Sequence, residues 1–201
     1  GMEFVKEFSI FLYKNNITKF GNFTLASGKN SSYYVDLRLL ASHPHQFRKM
    51  IKNLQNLIIE KTGLDNFDSL VSIPTGGLII ASALAIETIK PLIYVRNKPK
   101  EHGTSKSIEG KTFPGMRVIM IDDVVTTGGS VLNGIKQLKE MGLTISDVYV
   151  VVNRLGGAKK AFDSVGVTLH QLTDIIEITK VLYQEKLVTD EILEKIKNQI
   201  N

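Results

Sequence analysis

The chain has 201 residues, 43% hydrophobic and 22% charged, with no cysteine and a formal net charge of +5 at neutral pH. That length allows one domain with a sizeable core and a small attached lobe, and the composition excludes a disordered or fibrous chain. The lack of cysteine excludes disulfides, thiolate metal sites and a cysteine nucleophile, so any metal must be held by oxygen or imidazole, and a cytoplasmic setting is expected. The longest apolar run, Leu78 to Ile86, is about half of the ~20 residues that span a bilayer. With no signal-peptide pattern at the N-terminus either, no membrane association is expected.

In chain order, apolar positions recur at helical spacing over residues 2 to 15 and 44 to 61, which predicts two amphipathic helices. Between them, Phe20 to Leu39 is rich in Gly, Ser, Asn and Tyr and predicts a small irregular lobe containing β structure. From Ser69 onward, short apolar runs at Leu70 to Ile73, Leu92 to Val95, Val118 to Ile121, Val148 to Val152 and Val167 to Leu172 alternate with helical segments at 78 to 89, 130 to 141 and 157 to 163. This alternation predicts an α/β fold with a central parallel sheet flanked by helices. The tail, Asp174 to Ile200, reads as helix with a break near Leu187 to Thr189. The expectation is one domain over 1–201, with 2–40 forming an N-terminal helix and hood. Ligands of such sheets gather at the carboxyl ends of the strands.

Three strand ends carry chemistry. Val118 to Ile121 is an apolar run that leads into Asp122-Asp123-Val124-Val125-Thr126-Thr127-Gly128-Gly129-Ser130. Consecutive side chains point in different directions, so one carboxylate can meet sugar hydroxyls while the other orders cations. The Thr126 to Ser130 loop offers amides, hydroxyls and the positive end of the next helix, which together make a monophosphate cradle. The second strand end is Ser72-Ile-Pro-Thr75-Gly76-Gly77. A proline and glycines before a helix suit an ordinary turn, and they equally suit a pyrophosphate site with Thr75 and Gly76 at its centre.

The third is a basic loop, residues 94–115, in which Arg96, Lys98, Lys100, Lys106 and Lys111 with His102 face only Glu101 and Glu109, a net of +3. A segment of about 20 residues with little apolar content inside a compact domain is usually a functional lid or disordered. Without interleaved aromatics its charge suits phosphate better than nucleic-acid bases, and no nucleic-acid partner is expected. His170, within an apolar strand, reads as a structural imidazole.

The 117–130 run closely resembles the phosphoribosyl pyrophosphate motif of the type I phosphoribosyltransferases, and neither a P-loop nor a GxGxxG pattern competes with it. The basic loop resembles the Arg-Lys-x-x-Lys-x-His-Gly loop of the orotate phosphoribosyltransferases, with Asn97 in place of the usual lysine and Lys98 beside it. Phe23 to Arg38 is similar to the orotate-pocket segment of the same family, with Ala26 where many relatives have lysine. The resemblance implies the type I phosphoribosyltransferase fold and transfer of the phosphoribosyl group from phosphoribosyl pyrophosphate to orotate, giving orotidine 5'-phosphate and pyrophosphate, with Mg²⁺ held mainly by substrate and water.

It further implies phosphoribosyl pyrophosphate contacts at Thr75, Gly76, Arg96, Lys98, Lys100, His102 and residues 122–130, and orotate contacts at Tyr33 or Tyr34, Thr126 and Arg154. Arg154, in Val151-Val-Asn-Arg-Leu-Gly-Gly157, suits a carboxylate because its guanidinium is planar and bidentate. Lys100, His102, Asp122 and Asp123 are the expected catalytic residues, and the expected assembly is a homodimer whose basic loop acts across the interface. The rival readings are transfer to another base, a regulatory protein sensing phosphoribosyl pyrophosphate on this fold, and a ribose-phosphate pyrophosphokinase.

Overall fold

The structure, a computed structural model, describes residues 1–96 and 107–200. Lys98, Lys100 and His102 therefore lie outside the described residues. In chain order the helices and strands are α1 (Met2–Lys14), β1 (Thr18–Thr24), β2 (Asn30–Val35), α2 (Pro44–Lys61), β3 (Ser69–Ser72), α3 (Gly76–Thr88), β4 (Leu92–Val95), β5 (Ile108–Glu109), β6 (Arg117–Val125), α4 (Gly129–Glu140), β7 (Thr144–Asn153), α5 (Ala158–Asp163), β8 (Thr168–Asp174), α6 (Ile175–Gln184) and α7 (Asp190–Ile200). They fall into two compact units, Gly1–Met50 with Thr173–Asn201, and Ile51–Leu172.

In the first unit β1 and β2 pair antiparallel, with Phe20 opposite Tyr33 and an irregularity between Phe20 and Phe23. Phe8, Leu12, Ile17 and Tyr33 are buried, as are Ile178, Leu182, Leu193 and Ile196 from the C-terminal helices. α1 packs on α6, α6 on α7 and α7 on β2. The amide of Ser32 donates to Gln199 Oε1 at 2.9 Å, which fastens the tail to the hairpin. The expected break in the tail falls between α6 and α7, where Lys186 is left-handed at φ +59° and the Thr189 hydroxyl accepts from the Ile192 amide at 3.3 Å.

In the second unit a six-stranded sheet runs β5-β4-β3-β6-β7-β8. β3 pairs parallel with both β4 and β6, β6 pairs parallel with β7, and short β5 runs antiparallel to β4. Val148 to Val152 are all fully buried, so this strand is apolar without alternation, as a strand covered on both faces must be. The chain leaves β3 toward β4 on one side and β6 lies on the other, which makes the ends of β3 and β6 a topological switch point.

Two boundaries differ from the sequence expectation in ways that matter for the site. Helix α3 starts at Gly76 rather than Leu78, and β6 runs on through Asp122 and Asp123 to Val125. Glycines and charges argue locally against a helix start and a strand interior, but pairing of Asp122 with Val150 and of Val124 with Val152 carries the strand through.

Candidate active site

Register alone gathers the loops of the second unit that the sequence marks as candidates. Ser72 lies beside Tyr94 on one side and Ile121 on the other, and Val125 lies beside Asn153. Arg96, the 73–77 loop, the 126–130 loop and Arg154 therefore follow four adjacent strands at the same sheet edge. At a strand spacing of about 4.8 Å the row spans roughly 14 Å.

The two phosphate-type loops meet at the aspartates. A Cβ on Gly77 would stand 2.8 Å from Asp122 Oδ1 and 2.8 Å from Ser72 Oγ, and a Cβ on Gly76 would collide with the Asp123 carboxylate. Only glycine lets the first turn of α3 come this close. Ser72 is held in turn by its hydroxyl, which donates to the Ile121 carbonyl at 2.7 Å. Among the described residues, neither N-cap, Thr75 of α3 nor Gly128 of α4, makes a side-chain cap bond, which suits first-turn amides that meet water or an anion. The Pro74–Thr75 peptide bond is cis.

Asp122 Oδ1 accepts the Asp123 amide at 2.8 Å, and Asp123 Oδ1 accepts the Val124 amide at 2.9 Å. Part of the Asp122 surface is accessible, but strand ends and the α3 backbone enclose its carboxyl. Burial, followed by the adjacent Asp123 charge, pushes it well above the ordinary carboxylate range. Beyond the pair, Asp122 and Val124 to Val131 line a cavity of about 370 Å³. Thr126, Thr127, Gly129 and Ser130 are exposed there while Gly128 is buried. Gly128 is left-handed at φ +84°, and a Cβ would strike Phe162 of α5 at 2.6 Å.

Arg154 is half-buried, and its amide donates to the Val125 carbonyl at 2.8 Å. Its turn is built by Asn153, which accepts the Leu155 amide at 2.8 Å and donates to Gln171 Oε1 at 2.8 Å. Gly156 then lies against Thr126, where a Cβ would stand 2.8 Å from the Thr126 carbonyl oxygen. This contact links the expected base-binding turn to the phosphate loop. Asn153 and Gly156 escaped the sequence reading, although the glycine pair after an apolar strand was a visible sign of close approach.

In the first unit the two tyrosines separate by strand alternation. Tyr33 is 1% exposed and belongs to the core, whereas Tyr34 is half-buried with its ring 5.9 Å from that of Phe23. Asp36 and Arg38 of the same segment pair with each other at 2.8 Å. His170 is bonded to Asp147 at 2.6 Å and stacked on Tyr149 at 4.6 Å. Among the described residues no group of three or more acidic, histidine or cysteine side chains could cage a metal. Two adjacent carboxylates at a strand end do suit Mg²⁺, which takes few protein ligands and completes its shell with substrate and water.

Residues 40–186 match the family described as "Phosphoribosyl transferase domain". The chain is 44% identical to the orotate phosphoribosyltransferase of Cenarchaeum symbiosum (strain A) over 98% of this chain and 99% of that one. It is 46% identical to the orotate phosphoribosyltransferase of Pyrococcus furiosus over 80% of this chain and 87% of the relative. The crystal structure of orotate phosphoribosyltransferase from Aeropyrum pernix superposes with a TM-score of 0.76 at 32% identity, covering 90% of this chain and 99% of that one. Leishmania donovani UMP synthase superposes with a TM-score of 0.83 at 29% identity over 97% of this chain, which spans 42% of that longer protein. With the aspartate pair, the two helix-opening loops and the full-length likeness to these relatives together, the chain belongs to the orotate phosphoribosyltransferases of the phosphoribosyltransferase family.

Proposed function

We propose that the chain transfers the phosphoribosyl group of phosphoribosyl pyrophosphate to orotate, releasing pyrophosphate and orotidine 5'-phosphate for pyrimidine nucleotide synthesis in the cytoplasm. The observation that carries this reading is the row of strand ends. Two glycine-rich helix-opening loops, a carboxylate pair between them and an arginine stand side by side, which supports a substrate phosphorylated at both ends of its ribose and an acceptor bearing a carboxylate.

In this reading the 126–130 amides and hydroxyls hold the 5'-phosphate, and the α3 amides at Gly76 and Gly77 meet the pyrophosphate. Asp122 and Asp123 accept hydrogen bonds from the ribose hydroxyls. The bond from the anomeric carbon to pyrophosphate breaks with its electron pair leaving on oxygen, and the ring nitrogen of orotate forms the new bond with its own pair as its N–H proton is released to solvent. The intervening state has oxocarbenium character, which nearby carboxylates favour. Arg96 and, outside the described residues, Lys98, Lys100 and His102 are proposed to steady the charge that builds on the leaving pyrophosphate. When bound, Mg²⁺ would supply further neutralisation of that charge beside Asp122 and Asp123. Thr126 and Arg154 are proposed as orotate ligands, with Tyr34 as the accessible ring of the hood motif.

The active assembly is proposed to be a homodimer. Helix α3 is apolar on nearly every side, and Ile86 and Ile89 at its outer end are 77% and 84% exposed. Such a helix calls for cover on its outer face.

The test is a spectrophotometric assay of orotate consumption with uracil, hypoxanthine and adenine as competitors, run on the native chain and on Arg154→Ala. Loss of one half of a desolvated ion pair costs on the order of 2–5 kcal/mol. Orotate efficiency should therefore fall by roughly 30-fold or more, while phosphoribosyl pyrophosphate affinity by calorimetry holds. Equal loss for both ligands, or a preference for another base, would refute orotate recognition by Arg154.

A further inference from the structure

Arg96 directly follows β4, one strand away from the 73–77 loop, and Glu109 fixes its direction. Tyr94 pairs with Glu109 and Val95 with Ile108. Side chains two apart on a strand share a face, so Arg96 lies on the face of Tyr94 and Glu109, at the diagonal spacing that long side chains bridge. Arg96 Nη1 donates to Glu109 Oε1 at 3.1 Å, with the two side chains only 34% and 28% exposed. The Arg96 amide also donates to the Ser107 carbonyl at 2.6 Å. Immediately after Glu109, Gly110 is left-handed at φ +110°, and a Cβ there would stand 2.7 Å from Ile93 Cγ2. The backbone on both sides of the ion pair is therefore set by close contacts rather than left to adjust.

We propose that Glu109, on the side of β4 away from β3, is a positioning residue, which holds the Arg96 guanidinium in one place at the carboxyl end of β4 to receive the pyrophosphate of a substrate; this rests on the reading of Arg96 as a pyrophosphate ligand. A guanidinium carries five N–H donors in a planar fork, so it serves a carboxylate and a phosphate together. Held by Glu109, the arginine meets the anion without first giving up its rotamer freedom.

The experiment measures KM for phosphoribosyl pyrophosphate, KM for orotate, kcat and melting temperature in Glu109→Gln, Glu109→Asp, Arg96→Ala and the Arg96→Ala/Glu109→Gln double variant. Glu109→Gln should raise KM for phosphoribosyl pyrophosphate by about 3- to 10-fold, the scale of a partly covered ion pair. KM for orotate and the melting temperature should stay close to native, and Glu109→Asp should recover part of the loss. In the Arg96→Ala background, Glu109→Gln should add nothing. Additive effects, an unchanged or lowered KM in Glu109→Gln, or an equal rise in KM for orotate would each overturn the proposal. If Arg96→Ala impairs substrate use and Glu109→Gln does not, the positioning role alone falls. If Arg96→Ala has no effect, the reading of Arg96 as a ligand fails and the proposal goes with it.

Discussion

Asp122 and Asp147 stand on neighbouring stretches of β6 and β7, yet their surroundings move them in opposite directions. Burial, then the charge of Asp123, pushes Asp122 well above the ordinary value of 3.8. A carboxyl whose folded value is raised contributes stability that is complete below the unfolded value and is lost as pH rises through the folded one. At neutral pH, above the unfolded value, this upward shift therefore weighs against folding, in keeping with a residue kept for a ligand. Asp122→Asn should raise the melting temperature of the ligand-free protein at pH 7, by about 2–4 °C per kcal/mol relieved, and the gain should shrink toward pH 4. The same variant should use phosphoribosyl pyrophosphate poorly. A melting temperature that falls at pH 7 would show that the carboxylate holds the fold instead. Burial would raise Asp147 too, but hydrogen bonds from His170 and Ser146 outweigh it and hold that carboxyl below 3.8. Its contribution is present above the unfolded value and is lost as pH falls through the folded one. Burial also pushes the neighbouring Tyr149 up to about 12, so this cluster reads as a structural tie between β7 and β8.

The start of α3 shows how one element is fitted to chemistry at its own expense. Glycine within a helix costs about 1 kcal/mol relative to alanine, and this helix opens with two of them. Their reason is the approach of Gly76 to the Asp123 carboxylate and of Gly77 to Asp122 and Ser72. Gly76→Ala should therefore raise KM for phosphoribosyl pyrophosphate by at least about 10-fold, equivalent to ~1.4 kcal/mol, without the stabilisation that alanine normally gives a helix. If calorimetry and thermal melting instead find tighter folding and unchanged affinity, the close packing of helix on carboxylates has no functional purpose. Gly128 and Gly156 allow similar close packing at the 126–130 loop, the second of the proposed phosphate loops, one through its left-handed backbone against Phe162 and the other through contact with Thr126.

At the scale of the whole molecule, the proposed homodimer with a basic loop acting in trans makes a quantitative demand. A Lys100→Ala chain keeps its aspartates, and an Asp122→Asn/Asp123→Asn chain keeps its loop. Neither homodimer should turn over substrate at the native rate. Subunit exchange between them should restore roughly one quarter of native activity, since half of the dimers are mixed and each mixed dimer has one complete site. Exchange without recovery would mean that each loop serves its own subunit.

The sequence by itself determined the order of the longer strands and the helices after Ser69, the parallel sheet and the loop that leaves β6, because a strand buried on both faces and a helix-opening loop each leave a local pattern. It also singled out Arg154, whose apolar strand and glycine pair are contiguous with it. It could not choose between Tyr33 and Tyr34, since alternation assigns them to opposite faces but only packing decides which face is the core. The short β5 strand was hidden in a polar segment, and its partner β4 lies more than ten residues upstream, so the Arg96–Glu109 pair depended on register. The approach of Gly76 and Gly77 to the aspartates joins residues some 46 positions apart through the parallel pairing of β3 and β6. Only tertiary structure decided these features, because a glycine records that a neighbour comes close but not which neighbour it is.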